Sequence, residues 1–322
     1  MNIKNLISPT KLPQVATVIV CLVLYAAASL KFEGFATGQT FVNLLTDNAF
    51  LGIAAIGSTF VILAGGIDLS VGSMIGYTSI TMAVLVQHKG WNPVAAAAVL
   101  LAGGGLLGAL TGLVIHIFKL PSFLITLATM FLVRGLGYVT SMESISLTHP
   151  LYVKASEFAT PLGPNISIGL VPMIYIAVLI VAMFIAKYTP FGRNAYAVGG
   201  NPDAARLMGV PVGPTNVGVY AVSGFCSALA GLVFTIYSAS GNASAAMGLE
   251  LDAIAAVVIG GTLLTGGIGG IFGTFVGVLI FGIIQTAIAF QGTLNSWWTK
   301  IAIAGLLLAF ILLQRILDRI RP

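Results

Sequence analysis

The sequence predicts an all-α polytopic membrane protein, and three observations support that fold class. The 322 residues are 58% hydrophobic and only 7% charged, with a mean hydropathy of +1.04. Because about a quarter of the residues in a soluble globular domain are charged, this composition excludes a soluble fold. About ten apolar stretches follow one another, each near the ~20 residues that a helix needs to cross a bilayer, with shorter ones beside the glycine breaks. Glycine-rich segments interrupt some of these stretches, which predicts broken membrane helices.

The first apolar stretch, from about 15 to 30, follows Lys4 and Lys11 and lacks a small-residue cleavage site. We therefore expect a retained first helix and not a removed signal peptide. The other expected spans share this apolar character and lie at about 41–64, 71–86, 93–117, 122–141, 167–186, 216–238, 251–265, 270–290 and 297–313. Ten crossings return the C-terminus to the side of the N-terminus, which we expect to be the cytoplasm.

The positive charges agree with this topology, because cytoplasmic loops of membrane proteins carry an excess of Lys and Arg. With both termini in the cytoplasm, the basic residues on the inside are Lys4, Lys11, Lys119, Lys187, Arg193, Arg206, Arg315, Arg319 and Arg321. Lys31, Lys89 and Lys154 fall in outside loops, and Lys300 lies near an outer span end. The net charge of +5 is scattered over span ends, so it indicates membrane topology and not nucleic-acid binding.

The most unusual stretch is 65–73, where Asp68 interrupts a continuous apolar run. A charge at membrane depth costs several kcal/mol unless it is satisfied. Gly65 and Gly66 are expected to break the helix, so that Asp68 or Ser70 takes the N-cap position of the next helix and accepts from its N–H groups. Non-helical backbone occurs in a bilayer only where protein buries it or where it lines a water-filled cavity. Asp68 is therefore either a helix cap or a direct contact for a transported solute, and the sequence leaves both open.

Other polar side chains within or beside the apolar spans complete the predicted substrate path. The full set of candidates is Asp47, Asn48, Asp68, Ser70, Ser73, Thr126, Glu250 and Asp252. Arg134 also lies inside an apolar span. We expect Arg134 and the Glu250–Asp252 pair to be paired within the helix bundle, with a wet cavity as the alternative.

Glycines recur every four residues in two spans, at 104, 108 and 112 and at 269, 273 and 277. Such small residues line one face of a helix and allow close approach of a neighbour. We interpret both faces as intramolecular packing surfaces, with a subunit interface as the alternative.

The chain also contains an apparent internal duplication. Ile53–Ala55, Gly65–Ile67, Gly72 and Gly76 match Ile254–Ala256, Gly266–Ile268, Gly273 and Gly277 at one constant offset. The match predicts two helix-break-helix units, and in transporters such repeats commonly enclose the substrate path.

The polar loop 187–215 contains a complete pattern for one short helix. Asn201 is a suitable N-cap, Pro202 suits the first helical position and Asp203 complements the positive helix end. Gly209 can take the left-handed conformation that ends a helix. The nine residues of this predicted ATPase-coupling segment are Asn201, Pro202, Asp203, Ala204, Ala205, Arg206, Leu207, Met208 and Gly209. Leu207 and Met208 are then available to dock into a partner's groove, whereas a plain surface loop is the alternative.

The sequence contains no catalytic constellation that we can identify. His88, His116 and His149 have no second ligand at a metal-binding spacing, so no metal site is predicted. No Gly-Lys dipeptide occurs, which excludes a Walker A phosphate loop and hence ATP hydrolysis by this chain. Cys21 and Cys226 lie in apolar runs and are expected to be packing residues.

Three long motifs resemble the permease subunits of ribose/xylose/arabinose-class ABC sugar importers, over essentially the whole chain. They are 65–73, the loop from Phe191–Arg193 through Gly199–Asn201 to Gly209, and 250–262. Within this class the chain is most similar to a permease of the galactofuranose importer, through 46–52, Glu143–Ile145 with His149–Pro150, and 292–300.

The resemblance implies a single transmembrane permease domain over residues 1–322, with 187–215 as its cytoplasmic coupling loop, in a bacterial inner membrane. It implies import of a monosaccharide, galactofuranose or another pentose or hexose, with no cofactor bound by this chain. The implied partners are a second permease chain, either a paralogue or a second copy, and an ATP-binding subunit or tandem-domain ATPase that uses the ATP. A periplasmic sugar-binding protein completes the implied complex, and the polar outside loop 142–166 is long enough to meet such a partner.

Two other function classes stay open from the residues alone. A secondary transporter could use Asp68 as a proton or cation site. A membrane-embedded enzyme is the third possibility, although no acid, base or nucleophile pair is visible. Trp297 and Trp298 are interpreted as part of the aromatic belt at the membrane surface and not as a sugar platform.

Overall fold

The computed structural model of the chain describes residues 12–293, 295 and 297–320, with side chains for 14–293, 295 and 297–312. Lys4, Lys11 and Arg321, and the side chains of Arg315 and Arg319, lie outside the described residues. Leu294 and Ser296, which belong to one of the motifs above, lie outside them as well.

Within this part of the chain the structure is almost entirely helical, which confirms the all-α fold class. The helices are α1 (Leu12–Lys31), α2 (Gly38–Asp47), α3 (Ala49–Leu63), α4 (Val71–Ala83), α5 (Pro93–Phe118), α6 (Ser122–Thr140), α7 (Pro150–Glu157), α8 (Leu170–Tyr188), α9 (Pro190–Gly200), α10 (Pro202–Leu207), α11 (Val212–Ser238), α12 (Leu249–Ile259), α13 (Ile271–Gln291) and α14 (Trp297–Ile320). A five-residue π-helix, Val84–His88, extends α4.

The ten predicted spans contain helices of different lengths, with the shorter ones beside the glycine breaks, as predicted. Among the described residues, six helices are long and apolar enough to cross a membrane: α1, α5, α6, α8, α11 and α13. The pair α2 and α3, bent by 58°, makes a seventh if it is one span. The other three predicted spans contain shorter helices. Helix α4 has 13 residues, starts after the glycines at 65 and 66 and continues into the π-helix, whereas α12 has 11 residues and ends before Gly260 and Gly261. For α14 the apolar part that qualifies is the shorter segment Trp297–Leu312.

The long segment that follows α6, predicted to be an outside loop, is folded and is not a plain loop. It contains β1 (Ile145–Ser146), α7 and the hairpin of β2 (Ala159–Gly163) and β3 (Ile166–Gly169). The remaining strand, β4 (Ser240–Gly241), pairs antiparallel with β1. His149 caps α7, since its Nδ1 accepts from the Leu151 N–H at 3.2 Å.

Helix α3, with 14 of its 15 residues buried, lies at the centre of the bundle together with α11 and α13. In the most apolar windows of α11 and α13, 61% of the residues are buried, against 17% for α1 and α6, whose exposed apolar side chains suit contact with lipid. The glycine face at 104, 108 and 112 packs on α11, where a β-carbon at Gly112 would lie 3.0 Å from the Val217 Cα. The glycines at 273 and 277 pack on α12 in the same way. These glycines are therefore intramolecular packing residues, as predicted. The predicted face at 269, 273 and 277 is wrong for Gly269, which lies before α13 with a φ of +137° and packs against Thr262.

The two cysteines are free and buried, which confirms their interpretation as packing residues. The apolar core that contains them extends from α1 through α3, α8, α11, α12 and α13. Phe35 and Tyr175 are among its largest fully buried side chains.

Candidate functional site

The first helix break follows α3, and local backbone geometry explains it. Gly65 has a φ of +82°, a conformation that glycine adopts readily. Its N–H bonds to the Ile62 carbonyl at 2.9 Å, and the Gly66 N–H bonds to the Val61 carbonyl at 2.9 Å. These two bonds form a Schellman motif, which satisfies the last carbonyls of α3 and ends the helix.

The second break follows α12 and is formed by a Schellman motif of the same kind. Gly261 has a φ of +86° and its N–H bonds to the Val258 carbonyl at 2.9 Å. The Thr262 N–H bonds to the Val257 carbonyl at 3.2 Å. The duplication predicted from sequence is thus confirmed as two helix-break-helix units, α3–α4 and α12–α13. The constant offset matches Gly65 to Gly266, however, whereas the structure gives Gly65 the same role as Gly261.

The two breaks meet, and α9 packs against both of them. The Gly267 N–H donates to the Leu63 carbonyl at 2.9 Å, which joins the second break to the end of α3. A β-carbon at Gly199, near the end of α9, would collide with the Leu63 carbonyl and lie 2.7 Å from the Gly267 nitrogen. The Tyr196 hydroxyl donates to the Gly269 carbonyl at 3.2 Å, and burial raises the pKa of this phenol. The start of the 187–215 loop is therefore fixed directly to both breaks.

Asp68 is buried within the first break, with 4% of its surface exposed, and both carboxylate oxygens are hydrogen-bonded. Oδ1 accepts from the Ser70 N–H at 2.9 Å and from the Ser70 hydroxyl at 2.6 Å. Oδ2 accepts from the Ser223 hydroxyl of α11 at 2.7 Å. Such charge-assisted bonds offset the desolvation of a buried carboxylate.

The expected capping role is only partly right. Ser70 occupies the N-cap position of α4, but its side chain makes no capping bond and donates to Asp68 instead. Asp68 accepts from the N–H of Ser70 itself and not from the first turn of α4. The Ser73 hydroxyl donates to the Ser70 carbonyl at 2.7 Å, so the predicted residues Asp68, Ser70 and Ser73 form one buried network.

The start of α6 holds the same break from the other side. The Ile67 N–H donates to the Ser122 hydroxyl at 3.1 Å, and the Thr126 hydroxyl lies 3.2 Å from the Ile67 carbonyl. Thr126 therefore belongs with Asp68, as predicted. Sequence reasoning missed Ser122 and Ser223, because nothing in the local sequence indicates which distant span will reach the break.

Glu250 and Asp252 lie two positions apart at the start of α12 and face different neighbours. Glu250 Oε2 is buried without a hydrogen bond and lies against Gly72, in the first turn of α4. Arg134 donates to the carbonyls of Ala243 and Ala245 at 2.7 and 2.8 Å. Arg134 is thus paired within the bundle, as expected, and its partners are backbone carbonyls. Asp252 forms an ion pair with Lys300.

Asp47 and Asp252 line a cavity of about 510 Å³ that lies between α2, α3, α12, α13 and α14, apart from the Asp68 network. The Asp47 carboxylate accepts from the Tyr237 hydroxyl at 3.1 Å. Asn48 does not join these residues in the cavity lining, since its amide donates to the Leu44 carbonyl at 3.0 Å and packs against Gly282. The eight candidates therefore form three groups. Asp68, Ser70, Ser73 and Thr126 form the break network at the first helix break, Asp47 and Asp252 line the cavity, and Glu250 and Asn48 are in packed positions.

The short helix predicted from sequence is present as α10. The Asn201 Oδ1 accepts from the N–H groups of Asp203 and Ala204 at 3.0 and 2.9 Å, and Pro202 is the first helical residue. Gly209 has a φ of +81°, as the termination pattern predicted. Leu207 is 90% exposed, so an apolar side chain projects from a helix that is itself fixed to α9.

Comparison with known proteins shows the family of the chain. The family described as "Branched-chain amino acid transport system / permease component" matches residues 40–312, most of the chain. The chain belongs to this family. It is a membrane permease component, and it is not the subunit that carries the ATPase site.

Curated relatives match this permease over nearly its whole length. The inner membrane ABC transporter permease protein YjfF of Escherichia coli is 48% identical, over 94% of this chain and 92% of its own. The ribose import permease protein RbsC of Haemophilus influenzae is 38% identical, over 91% and 90%. The fructose import permease protein FruG of Bifidobacterium longum is 32% identical, over 94% and 91%. No solved structure matches the chain significantly.

Proposed function

We propose that this permease is the membrane subunit of an ABC importer for a monosaccharide, with galactofuranose as the first candidate substrate. The family description names branched-chain amino acids, but curated relatives that match nearly the whole chain are named as ribose and fructose import permeases. The motifs at 46–52 and 292–300 support galactofuranose within the sugar class.

The exposed helix α10 is the observation that carries this proposal. An apolar side chain at Leu207, 90% exposed on a capped helix, suits insertion into the groove of a cytoplasmic ATP-binding subunit. Helix α9 connects α10 to both helix breaks through Gly199 and Tyr196. ATP-driven motion at α10 therefore has a short route through packed backbone to the membrane interior.

In the proposed complex two permease chains, this one and a paralogue or a second copy, form the path across the inner membrane. A separate subunit or tandem-domain ATPase hydrolyses the ATP, and a periplasmic binding protein delivers the sugar to the outer face. Both termini are cytoplasmic, and residues 187–215 are the coupling segment of a single permease domain.

The break network supports an architectural role for Asp68, with Ser70, Ser73 and Thr126 around it. Asp68 is 4% exposed, and both of its carboxylate oxygens accept hydrogen bonds that fix the first break. This favours an ATP-driven permease over a secondary transporter that uses Asp68 as its ion site.

The test is uptake by the complete complex, copurified with its partner subunits and reconstituted into liposomes. We expect ATP-dependent accumulation of labelled galactofuranose when the binding protein is present, and no ATPase activity from this chain purified alone. Labelled ribose and leucine are the comparison substrates. Accumulation of leucine and neither sugar would contradict the substrate class, and uptake driven by a proton gradient without ATP would contradict the mechanism.

A further inference from the structure

The cavity at the ends of α2, α13 and α14 combines opposed polar groups with aromatic walls. Its polar groups are Asp47, Gln285, Thr299 and the Asp252–Lys300 ion pair, and its aromatic side chains include Phe50 and Trp297. A volume of about 510 Å³ lies within the range of small-molecule sites, roughly 300–1,000 Å³.

The cavity lies at the opposite end of α13 from the helix breaks. Helix α13 starts at the second break with Ile271, and Gln285 is fourteen residues further on. At 1.5 Å per residue this separation is about 21 Å, most of the thickness of a hydrocarbon core. Because the breaks contact α9 and the cytoplasmic coupling segment, the cavity is at the outer end of the bundle.

The polar groups are accessible to a ligand and are only loosely held. The side chains of Lys300 and Asp252 are 51% and 23% exposed, and an ion pair this exposed contributes little to stability. Among the described residues, the Gln285 amide makes no hydrogen bond that would fix it to the protein. These groups can therefore turn towards a ligand without breaking a buried network.

The chemistry of the wall fits a polyhydroxyl compound. Sugar hydroxyls both donate and accept, and the cavity offers carboxylate acceptors at Asp47 and Asp252, an ammonium donor at Lys300 and both kinds of group at Gln285. The C–H face of a sugar ring packs on flat apolar surfaces, and Trp297, 72% exposed, supplies one. An anion would meet two carboxylates and a single ammonium group.

We propose that this cavity is a monosaccharide-binding site at the outer entrance of the permease. The proposal rests on the proposed sugar-import function and deepens it, because it assigns contact with the sugar to Asp47, Asp252, Gln285, Trp297 and Lys300. It also assigns Trp297 a stacking role in addition to membrane anchoring.

Tryptophan fluorescence of the purified full-length chain in detergent tests the site directly. The probes are methyl β-D-galactofuranoside, which is locked in the furanose ring, and D-ribose, with leucine as the comparison. We expect a saturable change with at least one sugar and none with leucine. The change should persist in Trp91→Phe, which lies outside the cavity, and disappear in Trp297→Phe. Saturation by leucine alone, or by none of the three probes, would overturn the proposal.

A matched pair of glutamine variants tests the polar contacts. Gln285→Ala should raise the Kd for the sugar at least tenfold, whereas Gln87→Ala, on the surface near Thr148, should leave it unchanged. Equal Kd values for Gln285→Ala and the unaltered chain would overturn the proposal.

Uptake by the reconstituted complex separates this proposal from the function on which it rests. If the complex imports sugar equally well with Gln285→Ala and without it, the cavity is not an entrance site, although the importer function stands. If the complex imports no sugar, the importer function fails, and the fluorescence titration by itself decides whether the cavity binds sugar. Saturable binding that depends on Gln285 then still supports a sugar site, and its absence overturns it.

Discussion

Asp68 shows how one carboxylate is accommodated inside an apolar bundle. Its three hydrogen bonds, two from Ser70 and one from Ser223, connect the first break to α11, a helix at the centre of the fold. The sequence predicted that the charge must be satisfied, and this is confirmed. It could not predict Ser223, because a contact across 155 residues depends on how the helices pack.

Replacing Asp68 separates an architectural role from a transport role. In Asp68→Asn one oxygen can still accept from Ser70, and the Ser223 hydroxyl can reverse to accept from the new amide. In Asp68→Ala the Ser70 N–H and two hydroxyls lose their acceptor, at a cost of about 1–3 kcal/mol for each buried group left unpaired. We therefore expect near-normal assembly and uptake for Asn, and a loss of assembled protein for Ala, measured by detergent size-exclusion yield and by uptake.

Ser223→Ala is the control for this pair, because it removes one of the three bonds without removing the charge. Its assembled yield should fall between those of the Asn and Ala variants. An Asn variant that assembles at the normal level while uptake is abolished would show that the charge acts in transport.

Gly199 and Gly200 give a second comparison of single residues, at the end of α9. A β-carbon at Gly199 would collide with the Leu63 carbonyl, whereas one at Gly200 would have no atom within 4 Å. Gly199→Ala should therefore destabilise the contact between α9 and the two breaks by about 1–3 kcal/mol, the usual cost of overpacking. Thermal unfolding in detergent should show a lower midpoint for Gly199→Ala than for Gly200→Ala. Equal midpoints would mean that this contact is looser than the structure indicates.

Among the elements, α10 was the most predictable, because its signals are local. Its cap at Asn201, its Pro202 and its terminating Gly209 all lie within nine residues, and the structure confirms each of them. Helix α12 was less predictable, since its apolar sequence continues to Thr265 while the Schellman motif at Gly261 ends the helix at Ile259. Hydropathy measures burial and not backbone conformation, so it cannot show at which residue a helix ends inside an apolar stretch.

The cavity was the least predictable feature. Asp47 and Asp252 were identified as polar residues near the path, but their neighbours Gln285 and Lys300 belong to other helices. Nothing in the sequence indicates that α14 folds back on α12. Only the assembled bundle brings these side chains around one space.

At the same scale, α10 can be tested as the coupling element. Leu207 is 90% exposed, so Leu207→Asp leaves the fold intact but introduces a charge where we propose an apolar contact with the ATP-binding subunit. We expect membrane insertion at the normal level and loss of the stimulation of ATPase activity by the sugar-loaded binding protein. Normal stimulation in Leu207→Asp would remove α10 from the coupling role.

At the scale of the whole molecule, the topology follows from α8. This helix of 19 residues is apolar enough to cross the membrane once, and it separates the hairpin β2–β3 from α9 and α10. Positive charge at Lys187, Arg193 and Arg206 favours the cytoplasm for α9 and α10. We therefore expect the hairpin to be periplasmic, where a binding protein can reach it.

Single-cysteine labelling measures this orientation, because the native Cys21 and Cys226 are buried and give little background. Leu162 and Leu207 are both exposed, so Leu162→Cys and Leu207→Cys should each be reactive wherever they meet water. With a maleimide that cannot cross the inner membrane, we expect Leu162→Cys to be labelled in cells whose outer membrane alone is permeable. Leu207→Cys should be labelled only after the inner membrane is opened, since it lies on the other side of α8. The reverse order would invert the proposed topology, and labelling of both from outside would mean that α8 does not cross the membrane.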